Sequence, residues 1–532
     1  MIPFEDLLFF DSQVHGISAD AMTICRFSGR LDRECLERAI RETANRSRIG
    51  RRCAVCEPNG TLEWSKEEFP VVIRYFHGEP TPETFPDSAI SITQEAGIRF
   101  WIYDQPEENR FQLWFQFHHL TTDALGSFLF LDEVFERCAG MTVSHAEMPD
   151  GSEIREALRP EFCGELRKTV WKQFLAALRD LFFRRWNASA RPLELREAAA
   201  DGKTQIPCLI GSGKMLSQTP KTGVQSKTGV QGEAELPILF HSLTRQETQE
   251  LRECARSEGV SVNELLLAAV FRAVWRLKEA IPNLETRGAV QIAIPVSLRQ
   301  PQHDFPLRNL VSVVFLTEKL RTWQRRFAPV SDLVSDSVSD SVSDSVSDSV
   351  SDSVSDSVSD SVSDLVRASG EISERGPEWG RFQAFLQELH QQMELCRAEK
   401  RAELLLLELK WLCALRLGGD RRWGMKRFLR RKTPLATLVF SNLGVLFRNS
   451  RLPKTEDGRL CVGDWILDEI RLASPRTVDP ALTVALGTYA GKMTLGINHD
   501  SKRLTDESAR HFERLLAEEI RNALNGRRAV RE

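Results

Sequence analysis

Apolar residues recur at every second position over residues 111–117, the spacing of a β-strand with one buried face. Two histidines follow this strand, then Asp123, and the pattern changes to that of a buried helix over 127–136. The chain therefore predicts a strand that delivers His118, His119 and Asp123 into a tight strand-to-helix connection. Polar groups are costly in such a place unless they have a task.

Alternating strand and helix patterns precede this stretch. Residues 22–30 have the pattern of a strand that leads into a helix with Leu36, Ala39 and Ile40 on one face. Residues 97–103 form another strand, and the turn at 104–109 predicts a hairpin with the histidine strand. This alternation predicts an α/β sandwich lobe that ends near residue 150.

The second half of the chain repeats the alternation. Its predicted elements are helices that start with capping-box patterns at 244–247 and 261–264, strands at 290–299, 309–316 and 437–444, a hairpin of 482–489 with 492–498, and an amphipathic helix at 505–524. We therefore expect an N-terminal lobe (1–187), a flexible linker or crossover (188–235) and a C-terminal lobe (236–526).

Residues 330–366 repeat Val-Ser-Asp-Ser, with valine at every fourth position. A period of four drifts about 40° per repeat around a helix of 3.6 residues per turn, so the valines cannot line one straight face. In a strand, valine and aspartate would share a face. We predict an acidic, solvated insertion in the C-terminal lobe; calcium binding is the weaker alternative, because the repeat lacks the glycines of calcium-binding repeats.

Composition argues against a nucleic-acid-binding protein, a membrane-spanning protein and a metal-binding protein. The chain has 532 residues with 71 basic and 75 acidic side chains, so no overall charge favours nucleic acid. No apolar run approaches the roughly 18 residues that a membrane span needs, and the N-terminus lacks the basic start of a signal peptide. The 11 cysteines are scattered. Cys53 and Cys56 form one closely spaced pair, which is weak support for a metal, so we expect no metal site and a reducing, cytoplasmic setting.

Two segments, 161–187 and 421–432, combine basic and apolar residues. Solvated helix faces explain this pattern. A phosphate-bearing acyl carrier or lipid headgroups would also fit, so peripheral membrane contact stays open as an alternative.

A histidine four residues before an aspartate, on a strand-to-helix turn, suits general-base chemistry. His119 could deprotonate a hydroxyl or an amine so that it attacks an activated carbonyl. The chain has no Gly-x-Ser-x-Gly motif and no cysteine beside the histidines, so a covalent route is not indicated. A buried hydrogen-bonding pair, or incidental metal ligands, would explain the residues equally well.

The segment from His118 to Ala124 resembles the HHxxxDG motif of the condensation-domain superfamily. This superfamily shares the chloramphenicol acetyltransferase fold and includes polyketide-associated acyltransferases, wax ester synthases and nonribosomal peptide condensation domains. Three further segments resemble family elements in the right order: the opening strand and helix after Phe27, the Pro-Val-Ser-Leu-Arg strand that ends at Arg299, and the Ser441-Asn-Leu-Gly444 strand.

The resemblance implies two chloramphenicol acetyltransferase-like lobes that form a pseudo-dimer with a tunnel between them. His119 would be the general base. The supporting residues of the motif would be His118, Asp123, Gly126 and Arg299, with Asp123 paired to Arg299. Ser441, Asn442 and Gly444 would bind substrate. Ala124 departs from the motif glycine, which would strain the turn if the position needs positive φ.

The resemblance implies an acyltransferase with no bound cofactor. Acyl-CoA or a phosphopantetheinyl carrier would be the co-substrate, and a small-molecule or lipid hydroxyl, or an amine, the acceptor. Ester formation on a lipid-like alcohol, in lipid or secondary metabolite biosynthesis, is the first expectation, and the protein is expected to be a monomer. The alternatives are a non-catalytic module that binds acyl carriers or lipids, and a peptide-type condensation enzyme.

Overall fold

The structure is a computed structural model. It describes residues 8–9, 19–57, 62–81, 83–86, 89–143, 192–193, 195, 238–281, 288–299, 307–327, 376–414, 427, 429–430, 434–475, 480–501 and 503–528.

Strands and helices alternate along the described chain. The first half contains β1 (Asp20–Ser28), α1 (Arg33–Arg46), β2 (Ala54–Cys56), β3 (Leu62–Trp64), β4 (Val72–His77), β5 (Ile98–Gln105), β6 (Arg110–His118) and α2 (Ala124–Cys138). The second half contains β7 (Leu239–Leu243), α3 (Arg245–Ser257), α4 (Val262–Ala280), β8 (Ala289–Ser297), β9 (Val311–Lys319), α5 (Leu320–Phe327), α6 (Gly376–Ala398), α7 (Arg401–Ala414), β10 (Leu438–Val445), β11 (Cys461–Val462), β12 (Trp465–Ala473), β13 (Leu482–Tyr489), β14 (Lys492–His499) and α8 (Asp506–Arg528).

Two six-stranded sheets organise these elements. The first has the order β11-β12-β1-β6-β5-β4, and the second has the order β7-β14-β13-β10-β8-β9. Helices α1 and α2 pack on the first sheet, and α3, α4 and α8 pack on the second. The α/β architecture expected from the sequence is confirmed, as are the β5–β6 and β13–β14 hairpins.

The two sheets do not divide the chain at one boundary. Strand β12 leaves the second half of the chain and pairs antiparallel with β1, with Met22 opposite Ala473. Residues 461–473, which fell within the predicted C-terminal lobe of 236–526, therefore complete the first sheet. This pairing gives β1 hydrogen-bonding neighbours on both sides, so its backbone groups are not left at a sheet edge.

Helix starts follow the local sequence. Thr244 and Ser261 both form capping boxes with the glutamates three residues later, as predicted. Asp32 caps α1 by accepting a hydrogen bond from the backbone N–H of Cys35.

Strand β6 is buried on both faces, and the expectation of a single buried face is wrong. The phenylalanines and Leu113 face the core beneath α1 and α2. The opposite face carries Trp114, which packs with Trp101 and Tyr103 of β5 in a separate apolar cluster that Phe85 and Ile238 help to cover. Residues distant in the sequence supply this cover, so alternation within the strand could not reveal it.

The two sheets approach closely where β12 and β14 meet. A Cβ atom added to Gly496 of β14 would collide with the backbone carbonyl oxygen of Leu472. Glycine is therefore required here by close backbone approach. The contact fixes β14 of the second sheet against β12 of the first sheet.

Several predicted segments lie outside the described residues. These are the basic helix at 161–187, the repeat insertion at 330–366, and most of the linker and of the basic segment at 421–432. Within the predicted linker, Leu193 and Leu195 are described and buried in the core of the second sheet. This short part of the linker therefore packs as core.

Candidate functional site

His118 ends β6 and is buried, with 1% of its surface exposed. Its backbone N–H donates to the carbonyl of Gly97 (2.9 Å), and its Nδ1 accepts a hydrogen bond from the N–H of Leu120 (3.1 Å). Burial, and to a smaller extent the neighbouring His119, lowers the pKa of His118 to about 3. His118 is therefore an uncharged ring that holds the turn after the strand.

His119 is half-buried, and its backbone N–H donates to the carbonyl of Ala19 (2.8 Å). Burial lowers the pKa of its imidazole, while the Asp123 carboxylate and a hydrogen bond to its own backbone carbonyl act in the opposite direction. The amide nitrogen of Asn309 lies 2.7 Å from the His119 carbonyl oxygen and 3.2 Å from Nδ1. The ring is thus held on its Nδ1 side, and its Nε2 makes no hydrogen bond to any residue in the described ranges.

The Asp123 carboxylate joins the two halves of the chain. Its Oδ1 caps α2 by accepting from the N–H of Gly126 (2.7 Å) and also accepts from Arg299 Nη2 (3.1 Å). Its Oδ2 accepts from the N–H of Leu310 (2.7 Å), just before β9. The same Arg299 nitrogen donates to the carbonyl of Arg308 (2.7 Å). The structure thus places Asp123 and Arg299 in contact, and Gly126 contributes its backbone N–H to the cap.

Ala124 is the first residue of α2 and has no positive φ. The preceding Asp123 takes the extended conformation of an N-cap, with φ −85° and ψ 172°. Alanine is favourable in a helix, so its replacement of the motif glycine does not strain this turn. The backbone strain that the sequence suggested for alanine at position 124 is therefore absent.

Ser441, Asn442 and Gly444 lie together on β10. Asn442 Oδ1 accepts from the N–H of Gly444 (2.8 Å), and Gly444 has φ +69°, a conformation that favours glycine. The pairing of β10 with β13 shifts register between Asn442 and Val445. In the described part of the chain, no hydrogen bond joins these residues to His119, so their substrate-binding role stays a prediction.

No protein-family model matches the chain, and no curated protein matches it either. Solved structures do. The first condensation domain of the calcium-dependent antibiotic synthetase, in complex with a substrate analogue, matches with a TM-score of 0.57 and 14% identity, over 98% of this chain and 95% of that one.

Two further structures agree. The starter condensation domain of rhizomide synthetase RzmA, in complex with C8-CoA and Leu-SNAC, matches with a TM-score of 0.55 and 11% identity, over 98% of this chain and 94% of that one. SgcC5 from Streptomyces globisporus matches with a TM-score of 0.55 and 13% identity, over 98% of this chain and 97% of that one. The chain has the condensation-domain fold. The resemblance seen in the sequence is confirmed at the level of the fold, and identities this low establish the fold alone.

Asn309 is the residue of this candidate site that sequence reasoning missed. The sequence shows it as the first residue of a predicted strand, whereas β9 begins at Val311 and Asn309 lies in the preceding connection. It is 1% exposed. A polar residue at the head of an apolar strand was the available signal, but its partner His119 lies 190 positions away.

Within the described part of the chain, a further cluster brings together groups that can bind metals. Glu264, His390 and Glu394 place ligand atoms within 4.8 Å of one another. Glu264 already accepts from the N–H of Ser261 (2.8 Å) in a capping box, and lies 3.2 Å from His390 and 3.5 Å from the Arg397 guanidinium. These contacts satisfy the carboxylate and place a cation beside it. The expectation of a protein without a metal site stays a prediction.

Proposed function

We propose that this protein is an acyltransferase that moves an acyl group from a CoA or carrier-protein thioester to a hydroxyl or amine, with His119 as general base. One observation carries the proposal. The imidazole is held on its Nδ1 side by groups from both halves of the chain, while Nε2 has no hydrogen-bond partner among the described residues. The condensation-domain fold supports the same reaction class.

The chemistry follows from the state of the ring. Because burial lowers the pKa of His119, the ring is neutral near pH 7. When Nδ1–H is bonded to the residue's own carbonyl, the lone pair lies on Nε2. Nε2 takes the proton of the attacking hydroxyl or amine as the new bond to the thioester carbonyl carbon forms. The tetrahedral intermediate then expels the thiolate, which receives that proton and leaves as the free thiol. A positioned base of this kind contributes about 10²–10⁴-fold to the rate.

The surrounding residues have supporting roles in this proposal. His118 and Asp123 fix the backbone on either side of the base, and Arg299 balances the Asp123 charge. Ser441, Asn442 and Gly444 would lie along the acyl thioester in the tunnel between the lobes. The motif departure at Ala124 does not weaken the proposal, because this residue is helical.

The thioester class is supported by similarity of fold: the RzmA domain was solved with C8-CoA. Formation of an ester with a lipid-like alcohol is our first choice of reaction. Among the described residues, no helix is long and apolar enough to cross a membrane. Peripheral membrane contact and a monomeric state remain part of the proposal.

A panel of acyl thioesters and acceptors tests the function. Purified protein is incubated with acyl-CoA of several chain lengths, or with an acylated carrier, and with alcohol and amine acceptors, and products are identified by mass spectrometry. We expect His119→Ala to lower product formation at least about 10²-fold. His77→Ala, which removes an exposed histidine at the end of β4, is the matched control and should retain the wild-type rate.

The outcomes separate the candidate functions. Wild-type turnover by the His119→Ala protein would refute His119 as the base. Thioester binding without turnover, in wild type and variant alike, would identify a non-catalytic module. Products formed with amine acceptors alone would identify a peptide-type condensation enzyme.

A further inference from the structure

The side chain of Asn309 lies between two atoms of His119. Its amide nitrogen is 2.7 Å from the His119 carbonyl oxygen and 3.2 Å from Nδ1. Asn309 comes from the connection before β9, whereas His119 follows β6. The contact therefore spans the same junction as the Asp123–Arg299 ion pair.

The carbonyl of His119 determines which way the Asn309 amide faces. A carbonyl oxygen accepts hydrogen bonds and cannot donate them. Rotating the amide by 180° would bring two acceptor oxygens to about the distance now spanned by the hydrogen bond, which is repulsive. The NH₂ group must therefore face His119.

This orientation leaves the amide oxygen without compensation. Asn309 Oδ1 is buried and has no hydrogen-bond partner among the described residues. A buried acceptor without a donor is destabilising, and leucine, which has nearly the same shape, would avoid that cost. Among the described residues, the polar contacts of the Asn309 side chain are therefore those with His119.

We propose that Asn309 is a positioning residue for His119, which holds the carbonyl bonded to Nδ1–H and so leaves Nε2 facing the reacting groups. The NH₂ group donates to the His119 carbonyl oxygen, the same oxygen that accepts from Nδ1–H, so the two donors converge on one acceptor. Fixing this oxygen fixes the Nδ1 edge of the imidazole that is bonded to it. This inference rests on the proposed role of His119 as general base.

The same geometry affects protonation. The amide hydrogens carry positive partial charge beside Nδ1, and they oppose a positive charge on the ring. The ionisable groups near His119 are His118, which precedes it in the chain, and Asp123 at the start of α2, which is itself paired with Arg299 from the end of β8. Asn309 therefore acts in the same direction as burial and against Asp123.

Two substitutions of similar size separate positioning from structure. Asn309→Leu removes both polar groups, and Asn309→Asp replaces the NH₂ donor with an acceptor of negative charge. We expect kcat/KM at neutral pH to fall about tenfold or more in each, because the ring is no longer held. The acidic limb of the pH–rate profile should move to higher pH in both, and by about one unit or more in Asn309→Asp, where a carboxylate faces the imidazole.

A spectroscopic readout makes the test independent of the substrate. Histidine labelled with ¹⁵N in the full chain reports the protonation state and tautomer of His119 through its ring nitrogen shifts, and the His119→Ala spectrum assigns them. We expect the midpoint of the His119 titration to rise in the order wild type, Asn309→Leu, Asn309→Asp. Thermal unfolding of each variant shows whether it folds. If the Asn309→Leu protein does not fold, the comparison of Asn309→Asp with wild type is the test.

The outcomes distinguish the two proposals. If His119→Ala is inactive but both Asn309 variants keep the wild-type pH profile and ¹⁵N titration, the positioning role is refuted and the base survives. A loss of rate that is uniform across pH, with a lower Tm and an unchanged titration, would show a merely structural asparagine. Full activity of His119→Ala would instead refute the proposed function.

Discussion

Arg299→Met keeps a long side chain but removes the cation that lies 3.1 Å from Asp123 Oδ1. Both side chains are largely buried, with 9% and 8% of their surfaces exposed. Removing one partner of a buried ion pair costs about 3–5 kcal/mol, because the remaining charge is left uncompensated. Asp123 retains backbone donors from Gly126 and Leu310, at 2.7 Å each, so we expect the lower part of this range, about 3 kcal/mol.

The companion substitution Asp123→Asn separates charge from helix capping. Asparagine is as good an N-cap as aspartate, so the start of α2 is preserved while the charge is lost. In the double variant neither charge is left unpaired. We therefore expect its loss of stability to be smaller than the sum of the two single losses by about 1–3 kcal/mol.

Urea titrations followed by circular dichroism measure these free energies of unfolding. Arg33→Met is the control, since it breaks the pair with Asp104 (3.1 Å), in which Arg33 is 42% exposed, and should cost less than about 1 kcal/mol. If Arg299→Met costs no more than Arg33→Met, and the double variant is additive, the Asp123 carboxylate does not hold the two halves together.

Three further substitutions test His118, a buried glutamate at the far end of β9 and the motif turn. Burial lowers the pKa of His118 to about 3, so the unfolded chain, with a histidine pKa of about 6.5, binds the proton first and stability falls as pH drops from about 6.5 towards 3. His118→Phe should flatten this part of a Tm-versus-pH curve, and an unchanged slope would contradict the assignment. Burial raises the pKa of Glu318 to about 7, so its contribution is lost as pH rises through 7; Glu318→Gln should raise the Tm at pH 8 much more than at pH 5, and an equal effect at both would count against it. Gly97→Ala should lower the Tm and the acyl-transfer rate, because the added Cβ would collide with the Thr121 hydroxyl in the motif turn; Gly380→Ala, in open space on α6, should not.

Elements that are determined by residues close together in the chain were predictable from the sequence. The capping boxes at Thr244 and Ser261 lie within four residues each, and both form as expected. The final hairpin was expected at 482–489 and 492–498, and the strands are Leu482–Tyr489 and Lys492–His499. Turn residues and alternation fix such elements without reference to the remainder of the fold.

Features that depend on distant pairing were not predictable in this way. Strand β12 joins β1 across more than 400 positions, as in the Arg26–Glu469 ion pair, whose partners are 443 residues apart. The sequence of β12 can predict that this segment is a strand, but it cannot predict which sheet the strand joins. The second buried face of β6 has the same origin, since Phe85 and Ile238 cover it from elsewhere in the chain.

The candidate site combines both kinds of information. His118, His119 and Asp123 are visible in one short motif, but the groups that hold them, Arg299 and Asn309, arrive from the other half of the chain. A motif shows which side chain has the right chemistry, whereas the docking of the two halves sets where its ring nitrogens point. The proposed base, His119, should therefore be sensitive to any change that shifts β8 and β9 against β6, even where the motif itself is intact.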